Sequence, residues 1–262
     1  MFTKITKAKK IYTHYSKNEN IEVWEIGRHR WMTFGKEVQS IIDLDEPGQL
    51  PAPFSRAMLA SLMFVETPVS VLLIGMGGGS IARYFHNRDV NIKGDVIEWS
   101  ATVVDIARKF FDFPDEGKGW KIFNSDARDY LKTTNCEYEM ILVDISEDNR
   151  APTWLSNTNY LMHFKRHLAP KGVVVFNLLI YDENTFSDCL LNIRQVFEQR
   201  TVCLTAPGSQ NTMVFAFNEH PRYGDIEKIK ARVPYLQQKW GLRFEEFLER
   251  LCIDNPVGSG VL

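Results

Sequence analysis

The chain has 262 residues, 44% of them apolar and 24% charged, with a formal net charge of −2. This is the composition of a soluble globular protein large enough for one full domain with a substantial core, and it excludes a global field that would drive the chain onto nucleic acid or an anionic membrane. The four cysteines, Cys136, Cys189, Cys203 and Cys252, are scattered without a C-x-x-C pair, which argues against a disulfide framework or a zinc site and for a reduced, cytoplasmic setting.

Lys4, Lys7, Lys9 and Lys10 read as a solvated basic tail, and no apolar signal core accompanies them. Residues 21–26, IEVWEI, alternate apolar and polar side chains as a half-buried strand does. A turn at Gly27 and Arg28, a return strand over 30–34, a second turn at Gly35 and Lys36, and a strand over 38–42 complete a small antiparallel sheet, assigned to residues 1–50. Pro47, Gly48, Pro51 and Pro53 then break the chain, and Ser55 is the candidate cap of an apolar helix from Arg56 to about Phe64.

From Val69 the rhythm changes to alternating strand and helix. Strands are expected over 71–74, 95–98, 120–123, 140–144 and 172–178, with helices from Ser80, over 102–111, after Asp126, up to His167 and over 183–197. Such alternation implies a doubly wound, mainly parallel α/β sheet with helices on both faces, spanning 51–220. The runs 202–205 and 212–217 read as an antiparallel pair at its edge. Residues 221–262 are charged and read as a helical extension broken at Pro234. The longest apolar run, 173–180, is interrupted by Asn177 and is too short to cross a bilayer.

The candidate chemistry lies at the ends of these strands. VLLIGMGGGS places Gly75, Gly77, Gly78 and Gly79 between a strand and a helix, and Glu98 follows 21 positions after Gly77. Glycines there allow a tight turn and close backbone approach to a nucleotide-type ligand, and the acidic residue takes ribose hydroxyls. Trp99 either packs on an adenine ring or belongs to the core. Asp126, in NSDARDYL, caps the helix that follows, accepts from an adenine amino group, or does both. Asp144 closes the strand ILVD, beyond which ligands of open α/β sheets bind. Its apolar run-up implies partial burial, which raises a carboxyl pKa and suits a general base. Glu147 and Asp148 either help to hold a cationic amine or form a solvated acidic loop. His163 and His167 sit four apart on a helix but lack a metal-binding motif, so no metal is expected.

These motifs resemble spermidine synthase and related polyamine aminopropyltransferases, which share the fold of the class I S-adenosylmethionine-dependent methyltransferases. The N-terminal sheet, the glycine turn, Glu98, Ser125–Ala127, LVDISED and LAPKGVVVFN occur in the family's order. The resemblance implies decarboxylated S-adenosylmethionine, or S-adenosylmethionine itself, as co-substrate, a small-molecule amine as acceptor, and a homodimer formed through the N-terminal region. By position it implies that Gln39, Gly75, Gly77, Gly79, Glu98 and Asp126 hold the donor, that Asp144 is the base, and that the loop after it, with Trp154, is a gate; Trp99 and Ala127, beside Glu98 and Asp126, are counted with the donor site.

There are departures. The family's loop aspartate, which grips the donor's aminopropyl nitrogen, is Gly78 here, and its second loop aspartate is Glu147. A Tyr-Gln or Tyr-His pair stands as Ser55 and Arg56, and a glutamate after the fifth strand stands as Leu179. Each lost charge-assisted hydrogen bond is worth about 1.5–3 kcal/mol. Arg56, if it faced the pocket, would suit a donor that keeps its carboxylate. More positions match the family than depart from it, so aminopropyl transfer is the expected reaction, with methyl transfer on the same fold, or nucleoside binding without catalysis, as the alternatives.

Overall fold

The computed structural model describes residues 8–16, 20–114, 117, 119–145, 152–179, 183–256 and 261–262. Strands β1 (Lys9–Tyr15), β2 (Asn20–Ile26), β3 (His29–Phe34) and β4 (Glu37–Asp43) pair in chain order as an antiparallel sheet. Lys9 and Lys10 therefore belong to a strand and not to a tail. Lys10 reaches across to Glu22 at 2.9 Å, while Ile11 and Tyr12 pack against a core cluster. Counting charges hid those two apolar residues.

Helix α1 (Pro53–Met58) begins one turn earlier than expected, and its cap is Ala52 instead of Ser55. Pro53 at the first position has its φ preset and needs no N–H partner there, so the proline that reads as a breaker starts the helix. Ser55 is buried inside it. A 3-10 turn, Leu59–Met63, follows.

The main sheet contains β5 (Ser70–Ile74), β6 (Lys93–Glu98), β7 (Trp120–Asn124), β8 (Tyr138–Val143), β9 (Leu168–Leu179), β10 (Thr201–Thr205) and β11 (Asn211–Phe217), in the spatial order β10-β11-β9-β8-β5-β6-β7. The helices α2 (Ser80–Arg88), α3 (Ala101–Phe110), α4 (Ala127–Thr133), α5 (Thr158–His167) and α6 (Glu183–Val196) connect them. This is the doubly wound sheet expected, and two core clusters line its faces. The antiparallel pair expected at the edge is present, as β10 with β11. Only β11 runs against the rest; it lies between β9 and β10, and β10 forms the edge.

The N-terminal sheet leans on α3. Ile21, Val23, Met32 and Ile42 pack with Val103, Ile106 and Phe111, and Arg30 Nη1 donates to Phe110 O at 2.7 Å.

At the other end, α7 (Ile226–Trp240) runs through Pro234 without breaking. Its buried stripe of Ile229, Val233, Leu236 and Trp240 outweighs the one hydrogen bond that a proline cannot donate. Helix α8 (Phe244–Asp254) covers the sheet edge. Asp254 accepts from Thr205 N at 2.6 Å, and Asn255 accepts from Cys203 N at 2.8 Å and donates to Cys203 O at 2.6 Å. Among the described residues no helix is long and apolar enough to cross a membrane.

The Asn255 side chain thus satisfies both backbone groups of Cys203 on an edge strand. Asn255→Ala is expected to cost about 1–3 kcal/mol, read as a lower denaturant midpoint together with faster amide exchange at Cys203. An unchanged midpoint would mean that the edge does not depend on this cover.

Candidate active site

The chain passes from β5 to β6 on one side and reaches β8 on the other, so the crevice beyond β5 and β8 is the topological switch point of the sheet. Gly75 and Asp144 meet there. Gly75 N donates to Ile97 O at 2.9 Å, and Asp144 N donates to Ile74 O at 2.8 Å. Gly75 has φ +90°, and a β-carbon on it would stand 2.0 Å from Asp144 O. Both its conformation and its contact therefore demand glycine. The turn runs through Gly77 to Gly79, which caps α2 in the left-handed region at φ 72°. A cavity of about 20 Å³ lies between Gly75, Gly79, Ser80 and Asp144.

Strand β4 lies across this turn, where Gln39 O and Ser40 Cβ stand 3.7 and 3.9 Å from the place a β-carbon of Gly77 would take. Beside Gly78, a β-carbon would come within 2.5 Å of Ser40 Oγ and 2.8 Å of Phe111 Cδ1. The place from which a loop aspartate would project is thus already filled.

Arg83 supports the turn from behind. Its Nη1 donates to Gly78 O and Phe111 O, and its Nε donates to Pro47 O at 3.1 Å. Burial pulls this guanidinium down to about 10, against the opposing effect of Asp112. Sequence reading passed over Arg83; the available signal was one charge among the apolar residues of SIARYF.

The carboxylates differ in surroundings. Glu98 is buried, with Oε2 accepting from Met76 N at 3.1 Å and Oε1 from Ser100 N at 2.9 Å. It therefore ties the glycine turn to the end of β6. Asn124 Nδ2 donates to Glu98 O at 2.8 Å and Trp99 O at 3.0 Å, which fixes the backbone there while the Trp99 side chain stays 65% exposed. So large an apolar surface beside the turn leaves Trp99 outside the core.

Asp126 caps α4 through Arg128 N at 2.7 Å, and its carboxylate also pairs with the Arg128 guanidinium, whose hydrogen bonds hold it below the usual carboxyl range. Ala127 opens α4. Asp144 is half-buried, and desolvation of its carboxyl pushes the pKa up, against a hydrogen bond from Asn177 Nδ2 at 2.7 Å. In the sequence Asn177 stands out only as an interruption in an apolar run and as the last residue of LAPKGVVVFN, and neither points to Asp144.

Gln39, Gly75, Gly77, Gly79, Glu98 and Asp144 therefore converge, with Trp99, Asp126 and Ala127 on the neighbouring strand ends. Arg56 is anchored on the loop before α1. Its Nη1 donates to Leu50 O at 2.6 Å and Pro51 O at 2.7 Å, so the guanidinium holds the proline-rich loop. Glu147, Asp148 and most of the gate loop lie outside the described residues. Trp154 stacks on Phe164 with ring centroids 6.3 Å apart.

Among the described residues no group of three or more histidine, cysteine, aspartate or glutamate side chains could hold a metal ion. His167 points its ring nitrogens at Cys136 O and Leu131 O, 3.0 and 2.8 Å away. A wider cavity of about 520 Å³, lined by Glu66, Tyr223, Arg232 and Trp240 among others, lies near the opposite, amino end of β5.

Gly75→Ala forces a side chain into the Asp144 carbonyl at an unfavourable φ. It is expected to cost about 2–4 kcal/mol of stability and to abolish donor binding, as read by thermal denaturation and calorimetric titration. Wild-type binding in the variant would show that the turn does not form the donor site.

Residues 55–221 match the Spermine/spermidine synthase domain model. The chain is 34% identical over 245 residues to a polyamine aminopropyltransferase of Chromobacterium violaceum, covering 92% of this chain and 93% of that one. It is 30% identical over 238 residues to a polyamine aminopropyltransferase of Neisseria meningitidis serogroup A, covering 90% of each. In fold it is similar to the crystal structure of a probable spermidine synthase from Corynebacterium glutamicum, with a TM-score of 0.74, 20% identity and 86% of each chain covered. With the glycine turn, Glu98 and Asp144 gathered at one switch point, and with these relatives spanning nearly its whole length, the chain belongs to the spermine/spermidine synthase family.

Proposed function

We propose that this chain transfers an aminopropyl group from decarboxylated S-adenosylmethionine to a small amine acceptor, with Asp144 as the base. The observation that carries the proposal is the placement of Asp144: a desolvated carboxylate at the end of β8, backed against Gly75, on a chain whose relatives are named polyamine aminopropyltransferases. The unit 51–220 holds the donor. Gly75, Gly77 and Gly79 allow close approach of its backbone-facing side, Glu98 takes the ribose hydroxyls, Gln39 lines the pocket, and Trp99, Asp126 and Ala127 flank the adenine. The donor supplies a sulfonium whose departure as a neutral thioether leaves little chemistry for the protein beyond positioning and proton removal.

Asp144 performs that removal. It takes the proton from the acceptor nitrogen as the C–N bond forms and the C–S bond breaks, and until then it orients the amine. Only its ionised form can do so. Burial raises its pKa, so activity falls as the pH drops through a value above the ordinary carboxyl range. The protein acts in the cytoplasm as a homodimer; exposed Tyr15 and Val38 on one face of the N-terminal sheet support the dimer.

Methyl transfer from S-adenosylmethionine is the second reading, and Gly78 is the observation that favours it. No loop carboxylate stands there to reward a terminal ammonium, and Ser40 and Phe111 leave no room for one. Arg56 lends this reading less than its charge suggests, since its Nη1 is taken up by the Leu50 and Pro51 carbonyls.

Two measurements check the proposal. Calorimetric titration is expected to show tighter binding of decarboxylated S-adenosylmethionine than of S-adenosylmethionine; the reverse order moves the assignment to methyl transfer. Asp144→Asn is expected to keep donor binding and to lower turnover by about 10²–10⁴-fold. Intact turnover in that variant would remove Asp144 from the mechanism.

A further inference from the structure

The side chain that holds Asp144 is itself held. Asn177 Nδ2 donates to Asp144 Oδ1 at 2.7 Å, Asn211 Nδ2 donates to Asn177 Oδ1 at 2.9 Å, and the Ser209 hydroxyl donates to Asn211 Oδ1. The register explains the alignment. Val143 pairs with Phe176 across β8 and β9, so Asp144 and Asn177 are the next position along. Met213 pairs with Asn177 across β9 and β11, so Asn211 is its diagonal neighbour on the same face. Because β11 runs antiparallel, its first residue lies at the carboxyl end of the sheet, where the candidate site is.

The direction of the chain follows from chemistry. An ionised carboxylate only accepts, so the Asn177 amide nitrogen must face Asp144 and its oxygen must face away. That oxygen meets the Asn211 amide nitrogen, and the Asn211 oxygen in turn meets the Ser209 hydroxyl. Every donor therefore points toward Asp144, the arrangement in which successive hydrogen bonds reinforce one another. Among the described residues, the Asp144 carboxylate takes its one hydrogen bond on Oδ1.

We propose that Asn177 and Asn211 are positioning residues for Asp144, forming with Ser209 a directed relay that pins one carboxylate oxygen and presents the other to the acceptor amine. The proposal rests on the assignment of Asp144 as the base. Without the relay, Asp144 would rotate and would lose the one polar contact that opposes its desolvation. The elements packed around it bring few other charges. On the glycine turn and β5 there is no titratable side chain, β9 presents Asn177, and Glu98 on β6 is bonded to the Met76 and Ser100 amides. Glu147 and Asp148 lie outside the described residues.

The test measures the titration midpoint of Asp144 by carboxyl ¹³C NMR, together with the acid limb of kcat/KM, in Asn177→Leu, Asn211→Leu, the double variant and Ser209→Ala. Asn177→Leu is expected to move both readouts upward by about one pH unit. Asn211→Leu should move them in the same direction by less, although it does not touch Asp144. Because Asn211 acts through Asn177, the double variant should move no further than Asn177→Leu alone. An unmoved midpoint in Asn211→Leu, or additive shifts in the double variant, would overturn the relay. If Asn177→Leu does not fold, Asn211→Leu and Ser209→Ala decide: an upward shift supports the relay and none in either rejects it. The NMR midpoint needs no turnover, so the relay is judged separately from the reaction. Intact turnover in Asp144→Asn removes the base assignment, whereas an inactive Asp144→Asn with unmoved midpoints in the asparagine variants removes only the relay.

Discussion

The missing side chain of Gly75 is the constraint on which the site depends. The backbone leaving β5 passes so close to that leaving β8 that a β-carbon would stand 2.0 Å from the Asp144 carbonyl. This approach lets two parallel strands end at one point, with the glycine turn on one side and a carboxylate on the other. A wider turn would leave Asp144 and the glycine turn on separate ledges. Catalysis by positioning tolerates displacements of well under an ångström, so under the proposed function the same backbone contact that closes the fold would also set the spacing of base and donor.

The N-terminal sheet and the glycine turn are joined through the end of α3. Arg30 donates to Phe110 O and Arg83 to Phe111 O, two cations on carbonyls that a helix C-terminus leaves unpaired. Arg83 then reaches Gly78 O and Pro47 O. One buried guanidinium thus connects the proline-rich connection, the glycine turn and α3, and it holds Phe111 against Gly78. The lack of a loop carboxylate is built into this packing and is not a point change that a single substitution could reverse.

The carboxylates divide by environment in the way that separates roles in many active sites. Glu98 is fixed by two backbone amides, Asp126 is pulled down by Arg128, and Asp144 is pushed up by burial with one amide hydrogen bond against it. The first two suit permanent acceptance from neutral donors. Only the third has its neutral form favoured by its surroundings, which is what the proposed base requires.

Local pattern in the sequence determined much of this protein. The alternation of strand and helix, the glycine turn and the acidic residues at strand ends were legible because each obeys a short-range rule of periodicity or backbone conformation. The order of the motifs was enough to point to the family. What only the tertiary structure decided involves partners distant along the chain. Arg56 turned to its own loop; Lys9 and Lys10 entered a strand; Pro234 stayed within a helix because a buried stripe held it there. The insertion of β11 between β9 and β10 brought Asn211 to Asn177, and the parallel pairing of β9 with β8 brought Asn177 to Asp144, across separations of 34 and 33 residues. Sequence periodicity shows that a residue faces a core or solvent, but not which strand lies beside it. Hydrogen-bond partners across a sheet are set by strand order and register, and both arise only when the chain packs.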